Sequence, residues 1–130
     1  MLKGRILVME KSRMKLTDVV RHRDFMFAVS TFLDDFKKCD DKYSLIKDEP
    51  VSEHTDAVGL CLLAAIVHKL SNEYGLRIPS WANTPNYVMP YPVYAHGTTN
   101  EEYQQYLTET TPAEFAIRNI FYGANVIERV

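Results

Sequence analysis

Two long stretches of the chain place apolar residues three and four positions apart, which is the spacing of one helix face. The first stretch runs from about Leu16 to Lys38, and its main apolar positions are Val19, Met26, Val29, Leu33 and Phe36. Charged residues such as Asp34 fall largely outside this stripe. The pattern therefore predicts an amphipathic N-terminal helix over residues 16–38.

The second stretch, about residues 53–74, is apolar on nearly every side between Ala57 and Val67. A helix that is apolar all round is surrounded by other elements, so we expect a central, buried helix. Ser52 is a suitable N-cap residue. Gly75 stands where a Schellman ending places its glycine, with Leu76 folding back on the helix.

The segment 77–98 differs from both stretches because it holds four prolines and the only tryptophan of the chain. Proline lacks the backbone N–H that a helix needs, so no long helix is expected there. Large aromatic side chains in this number also argue against disorder. We predict an ordered loop that is packed against the central helix.

Two short helices are predicted after this loop. Residues 99–102 fit a capping box. A second start lies at Thr111, with Pro112 at the first helical position and Glu114 bonding back to the cap. The apolar tail, residues 120–127, is expected to pack as an extended segment. The sequence thus predicts an all-α, or predominantly helical, single domain over residues 1–130. Its central helix, about 53–74, is packed by the N-terminal helix and the two short C-terminal helices.

Charge is unevenly distributed along the chain. The formal net charge of −2 argues against a general polyanion-binding protein. Residues 1–23, however, carry seven basic side chains and two acidic ones. We interpret residues 1–14 as a basic arm, docked or mobile. Its candidate phosphate contacts are Lys3, Arg5, Lys11, Arg13 and Lys15.

Hydropathy and cysteine content bear on the compartment. The longest apolar run, Ala57 to Val67, has 11 residues, whereas a bilayer-spanning helix needs about 20. No signal peptide is apparent. The two cysteines do not make a disulfide framework, and Cys61 in its apolar run is expected to be a buried core residue. We predict a cytoplasmic protein that does not associate with a membrane.

No catalytic, cofactor-binding or metal-binding residues are predicted. His54, Cys61 and His68 are spaced by seven, but seven helical residues rise about 10.5 Å, so one ion cannot reach two of them. The chain lacks a nucleophile elbow and a glycine-rich phosphate loop. An enzyme whose site gathers His96, Arg118 and the loop tyrosines through folding stays an open alternative.

Partner binding is the function class that the residues favour, because tyrosine and tryptophan dominate interface hot spots. The alternative for the aromatic residues is an outer layer of the core over the central helix. For Arg118 the alternatives are bonding to carbonyls at a helix end or holding an acidic group. The candidate partner-binding residues are Trp81, Tyr87, Tyr91, Tyr94, His96, Arg118 and Asn119.

Several segments of the C-terminal half carry a resemblance: residues 76–82 (LRIPSWA), 111–115 (TPAEF), 118–121 (RNIF), 124–125 and 129–130, with a looser match at 32–36 and 48–50. In these the chain resembles small uncharacterised bacterial helical proteins that look like accessory or antitoxin-like partners in toxin–antitoxin-type gene pairs. The resemblance implies an interaction role. The chain lacks the DNA-binding helical module that some similar proteins carry in front, so direct operator binding is not expected.

The function predicted from the sequence is therefore a non-catalytic protein-interaction or regulatory module with a protein partner and no cofactor. Self-association is left open. The alternatives are a nucleic-acid-associated regulator that uses the basic N-terminal segment, and an unrecognised enzyme.

Overall fold

The computed structural model describes residues 13–53 and 55–125, so most of the predicted basic arm, His54 and the last five residues lie outside it. The chain forms two compact units, one up to Val51 and one from Ser52 onward, which we describe in turn. The prediction of a predominantly helical fold is confirmed. The prediction of one domain over residues 1–130 stays a prediction.

The described residues of the first unit contain two α-helices, α1 (Leu16–Val19) and α2 (Phe25–Lys38), which pack together and are followed by a 3₁₀ turn. The prediction of one continuous helix over 16–38 is wrong, because residues 20–24 interrupt it. Asp24 has an extended backbone, and its side chain accepts a hydrogen bond from the Phe27 amide at 3.1 Å. The polar run 21–24 supplies an N-cap and no apolar side chain, so a new helix begins there.

Helix α2 buries the predicted positions Val29, Leu33 and Phe36, but Met26, which was also predicted for the apolar stripe, is exposed. Its buried side chains are Ala28, Val29, Phe32, Leu33 and Phe36. Asp35, which is half-buried, accepts a hydrogen bond from the Met14 amide at 2.7 Å. That bond ties the chain before α1 to α2.

The second unit is built on α3 (Ala57–Tyr74). Seven consecutive residues of this helix, 61–67, are buried, which confirms the predicted central helix. Asp56, and not Ser52, caps it by accepting from the Gly59 amide at 2.8 Å. The end is as predicted: Gly75 is left-handed (φ 67°), and the Leu76 amide donates to the Ser71 carbonyl at 2.8 Å.

The loop 77–98 is ordered and packs on α3 through two 3₁₀ turns, Ser80–Asn83 and Pro85–Tyr87, which confirms that prediction. It ends in a short strand, β1 (Val93–Tyr94). Helices α4 (Glu101–Thr110) and α5 (Ala113–Ala116) follow, and then β2 (Ile120–Phe121). Strands β1 and β2 pair in parallel, which confirms the extended tail for Ile120–Phe121 only. Residues 124–125 form a turn, and residues 126–127 lie outside the described residues. This small sheet was not predicted.

The C-terminal helices lie where expected, but their caps differ. Asn100 caps α4 by accepting from the Tyr103 amide. At α5 the predicted capping box is absent. The Thr111 hydroxyl donates to the Leu107 carbonyl at 2.6 Å, and the Glu114 carboxylate accepts from Asn72 at 2.9 Å. Thr111 thus bonds back to the last turn of α4, and Glu114 bonds to the distant Asn72, so neither makes the bond of a capping box. Helix α5 packs on α3 and on β2, and α4 packs on β2.

Over the described ranges, none of the helices combines the length and the apolar character that crossing a bilayer requires.

Candidate partner-binding surface

The aromatic residues of the loop 77–98 divide into a buried pair and an outward-facing group. Trp81 and Tyr87 are buried, with their rings edge to face at a centroid distance of 5.4 Å. They belong to the layer that covers α3, as the alternative interpretation expected. Their role as partner contacts stays a prediction. Tyr91, in contrast, is 62 % exposed.

Tyr91 lies at an open cavity of about 400 Å³ on the second unit. We call it the tyrosine cavity; it is lined by Tyr91, Pro92, Val93, Tyr94, Gly97, Thr98 and Gln104. Tyr94 is half-buried and stacks on Phe121 of β2, with ring centroids 5.4 Å apart. Strand pairing and this stacking hold two of the lining residues, Val93 and Tyr94, in place.

A tight turn at residues 95–98 contributes Gly97 and Thr98 to the cavity lining. His96 and Gly97 both have a left-handed backbone, and the Thr98 amide donates to the Ala95 carbonyl at 3.2 Å. Two successive left-handed residues closed by this bond make a type I′ turn. The exposed His96 side chain thus lies at the tip of the turn, next to the cavity-lining Gly97. The side chain of Gln104, another lining residue, donates to the Thr98 carbonyl at 2.8 Å and so ties α4 to this turn.

Helix α4 adds two tyrosines, Tyr103 and Tyr106. Tyr103 and Tyr106 are both exposed, with 58 % exposure for Tyr106, and their rings stack at 6.2 Å. Leu107 is the one fully buried side chain of this helix. A helix with a single aliphatic residue buries only a narrow stripe, and that composition is the signal that could have predicted exposed tyrosines.

The charged side chains of the chain segment that lines the tyrosine cavity are all acidic. Residues 78–117 contain no lysine or arginine and four glutamates. Three of them, Glu101, Glu102 and Glu109, are exposed on α4. The charged side chains of the segment that exposes these tyrosines are therefore all acidic. We call Tyr91, Tyr94, Tyr103 and Tyr106 with these three glutamates, all from residues 91–109 of the second unit, the tyrosine–glutamate face.

Arg118 is not at the surface, because only 3 % of it is exposed. Its guanidinium donates to the Glu114 carbonyl (2.8 Å) and to the Ala82 carbonyl (2.7 Å), and one nitrogen lies 3.0 Å from His68 Nδ1. The predicted bonding to a helix-end carbonyl is confirmed. No carboxylate pairs with Arg118 within the described part of the chain. Burial lowers the pKa of Arg118, and Cys61 and Glu114 oppose this shift.

Asn119, the last of the sequence-predicted residues, has a left-handed backbone and clamps the loop 77–98 to the C-terminal segment. Its amide group donates to the Met89 carbonyl at 2.7 Å, and its own carbonyl accepts from the Val93 amide at 2.8 Å. Its polar groups thus serve the fold of the second unit. Of the predicted partner-binding residues, Tyr91 and Tyr94 line the tyrosine cavity, and His96 is next to the lining residue Gly97. Trp81, Tyr87 and Arg118 are buried, and Asn119 is half-buried.

The remaining predictions concern Cys61, metal ligands and phosphate contacts. Cys61 is buried as predicted, and this burial raises the pKa of its thiol, an effect that Arg118 partly offsets. In the described residues no three His, Cys, Asp or Glu side chains are grouped as metal ligands would be.

Of the candidate phosphate contacts, Arg13 and Lys15 are exposed, and Lys3, Arg5 and Lys11 lie outside the described residues.

His68 gives the fold a dependence on pH. Burial, and then the charge of Arg118, lower the pKa of His68, although Glu114 raises it somewhat. A neutral Nδ1 accepts from Arg118, whereas an imidazolium would place two cations side by side. The unfolded chain, with an ordinary histidine pKa of about 6.5, then binds more protons than the folded chain. The free energy of unfolding is therefore expected to fall as the pH falls through and below 6.5, by at most about 1.4 kcal/mol per pH unit for one proton.

Urea unfolding at several pH values tests this expectation. His68→Gln keeps an acceptor for Arg118 and cannot titrate, so its stability should decline less between about pH 7 and pH 5 than that of the wild type. His96→Asn removes an exposed imidazole and is the matched control, which should keep the wild-type decline. An equal decline in His68→Gln and the wild type would contradict the role of His68.

Three comparisons with known proteins give no relative: no family model, no curated protein and no solved structure matches the chain.

Proposed function

We propose that this chain is a cytoplasmic, non-catalytic protein-interaction module, and that its tyrosine–glutamate face binds a positively charged segment of a protein partner. The single observation that carries the proposal is the exposure of Tyr91 at the rim of a cavity of about 400 Å³. An antitoxin-like partner role in a bacterial gene pair is the biological setting that the sequence resemblance implies.

The tyrosines support a protein interface because they offer large contact areas at little cost in side-chain entropy. Tyr91 and Tyr106 each leave more than half of their surface in water. Tyr94 is held by its stacking on Phe121, so part of the surface is ordered before any partner arrives. Preorganised aromatic side chains of this kind are typical interface hot spots.

The charge of the face supports a cationic partner. Lysine and arginine side chains bind to the faces of aromatic rings, and the exposed glutamates of α4 offer carboxylates for ion pairs. A nucleic acid would bring phosphates to a face without lysine or arginine, which is unfavourable. The face therefore favours a basic protein segment over DNA or RNA.

Affinity capture with matched variants tests the proposal. The tagged wild type is purified from its native cell under mild conditions, beside Tyr91→Ser/Tyr106→Ser and the control Phe27→Ser. Phe27 is an exposed aromatic residue of the first unit. We expect a stoichiometric protein partner with the wild type and the control, and at least a tenfold loss with the double variant, as removal of about 1.4 kcal/mol or more requires.

The dependence of partner capture on salt concentration, and the absorbance of any nucleic acid that is purified together with the chain, give two further readouts of the same experiment. A complex of opposite charges weakens as salt rises from about 0.05 M to 0.5 M, because the Debye length shrinks. Equal capture by the double variant would contradict the proposed face. Recovery of nucleic acid without a protein partner, lost on deletion of residues 1–15, would favour the nucleic-acid-associated regulator instead.

A further inference from the structure

A second cavity, of about 320 Å³, lies in the second unit and is separate from the tyrosine cavity. It is lined by Asn83, Thr84, Pro85, Val88, Ile117 and Arg118. Its volume is at the small end of the range for ligand pockets, roughly 300–1,000 Å³. Ile117 is 59 % exposed at this cavity, and Val88 is also exposed, so apolar side chains face water here without a partner.

Arg118 connects two parts of this lining. Its guanidinium donates to the carbonyl of Ala82, which immediately precedes the lining residues Asn83 and Thr84. Its own carbonyl accepts from the Met89 amide, next to Val88. The guanidinium is therefore held beside Asn83 and Thr84, and the backbone of Arg118 is held beside Val88.

Among the described residues no carboxylate lies within ion-pair distance of Arg118, although the charge of Glu114 favours the guanidinium from further away. The guanidinium has five N–H donors, and its three hydrogen-bond contacts are with two carbonyls and an imidazole. The nearest acidic side chain along the helix, Glu114, bonds to Asn72 instead. None of the residues that line the cavity is acidic. A buried cation without a carboxylate is costly, and an anion bound beside it would offset that cost.

We infer that this cavity is a binding site for a carboxylate carried on a short apolar chain. The guanidinium fork matches the geometry of a carboxylate. Pro85, Val88 and Ile117 offer apolar contacts to the chain of the ligand, and the Asn83 amide offers one more donor at the rim. This inference uses neither the tyrosines nor α4, so it stands or falls independently of the proposed function.

Two sources share this chemistry: a free short-chain acid, and a peptide that ends in an apolar residue. Isovalerate is the probe for the first source and acetyl-Gly-Val for the second. Isovaleramide and the peptide amide have nearly the same shape without the charge. Inorganic phosphate tests whether any anion suffices.

The experiment is a titration of the ¹⁵N-labelled full chain, followed by amide chemical shifts. Each acid is expected to bind at least about tenfold more tightly than its amide, since charge-assisted bonds to arginine are lost in the amide. The shifts should concentrate on residues 82–89 and 117–119. Tighter binding of the peptide assigns the cavity to a chain end, and tighter binding of isovalerate assigns it to a free acid.

A cavity-filling variant keeps the test independent of folding defects at Arg118. Val88→Trp occupies the cavity and should weaken isovalerate binding at least about tenfold. Val51→Trp, at an exposed position of the first unit, is the matched control and should bind as the wild type does. Equal affinity for acid and amide, equal affinity for phosphate and isovalerate, or undiminished binding by Val88→Trp would overturn the inference.

Discussion

Replacing Leu63 with aspartate is expected to prevent folding, so that the variant is recovered as insoluble protein. Leu63 is fully buried in the middle of α3. An aspartate there loses the apolar contacts of leucine and brings an unpaired charge or an unsatisfied carboxyl group into the core. Together these cost several kcal/mol, roughly the whole stability of a small domain.

The matched control introduces the same residue on the same helix. Ala57 is the first residue of α3 and is exposed, and an acidic residue in the first turn is favourable. Ala57→Asp should therefore be soluble, with helical circular dichroism like that of the wild type. A soluble and cooperatively folded Leu63→Asp would show that α3 is not the core of the second unit.

Replacing Arg118 with methionine is expected to lower the free energy of unfolding by about 3 kcal/mol, because buried acceptors lose a charged donor. The carbonyls of Ala82 and Glu114 and the Nδ1 atom of His68 would all lose their partner. Urea denaturation measures the change as a lower midpoint with an unchanged slope.

Arg23→Met is the control for this prediction, because Arg23 is exposed in the first unit. Its stability should stay within about 0.5 kcal/mol of the wild type. If Arg118→Met were equally mild, the three bonds would not hold the loop 77–98 and α5 to the central helix, and the account of Arg118 as a structural junction would fail.

Sequence reasoning found the elements whose signal is spread over many residues. The ten apolar residues of the middle of α3 and the Gly75 ending predict the same helix from different physical causes, and both are confirmed. The start was misplaced by four residues because Ser52 and Asp56 are both good caps. The Ser52 hydroxyl in fact accepts from the Thr55 amide, so it forms a turn before the helix.

Predictions failed where a residue had a choice of partners. Thr111 and Glu114 fit a capping box, but the Thr111 hydroxyl donates to Leu107 of the preceding helix and accepts from the Gly123 amide, and Glu114 bonds to the distant Asn72. The break at residues 20–24 has a similar cause, since Asp24 caps a new helix where the apolar stripe has a gap. Local sequence gives the possible bonds, and tertiary packing selects among them.

The candidate site was only partly predictable for the same reason. Arg118 was expected at a helix end, yet its bonds to Ala82 and His68 join residues 36 and 50 positions away in the chain. The loop tyrosines look alike in the sequence, but Tyr87 is buried in the structure and Tyr91 is exposed. Which aromatic side chain faces water depends on the path of a proline-rich loop, and spacing alone does not reveal that path.

The central claim is that a protein partner binds the tyrosine–glutamate face. Hydrogen-exchange mass spectrometry of the captured complex, compared with the free chain, tests it most directly. The account predicts slower exchange of backbone amides in residues 91–110, with residues 25–38 unchanged. Protection confined to the first unit, or no captured protein that protects residues 91–110, would contradict it.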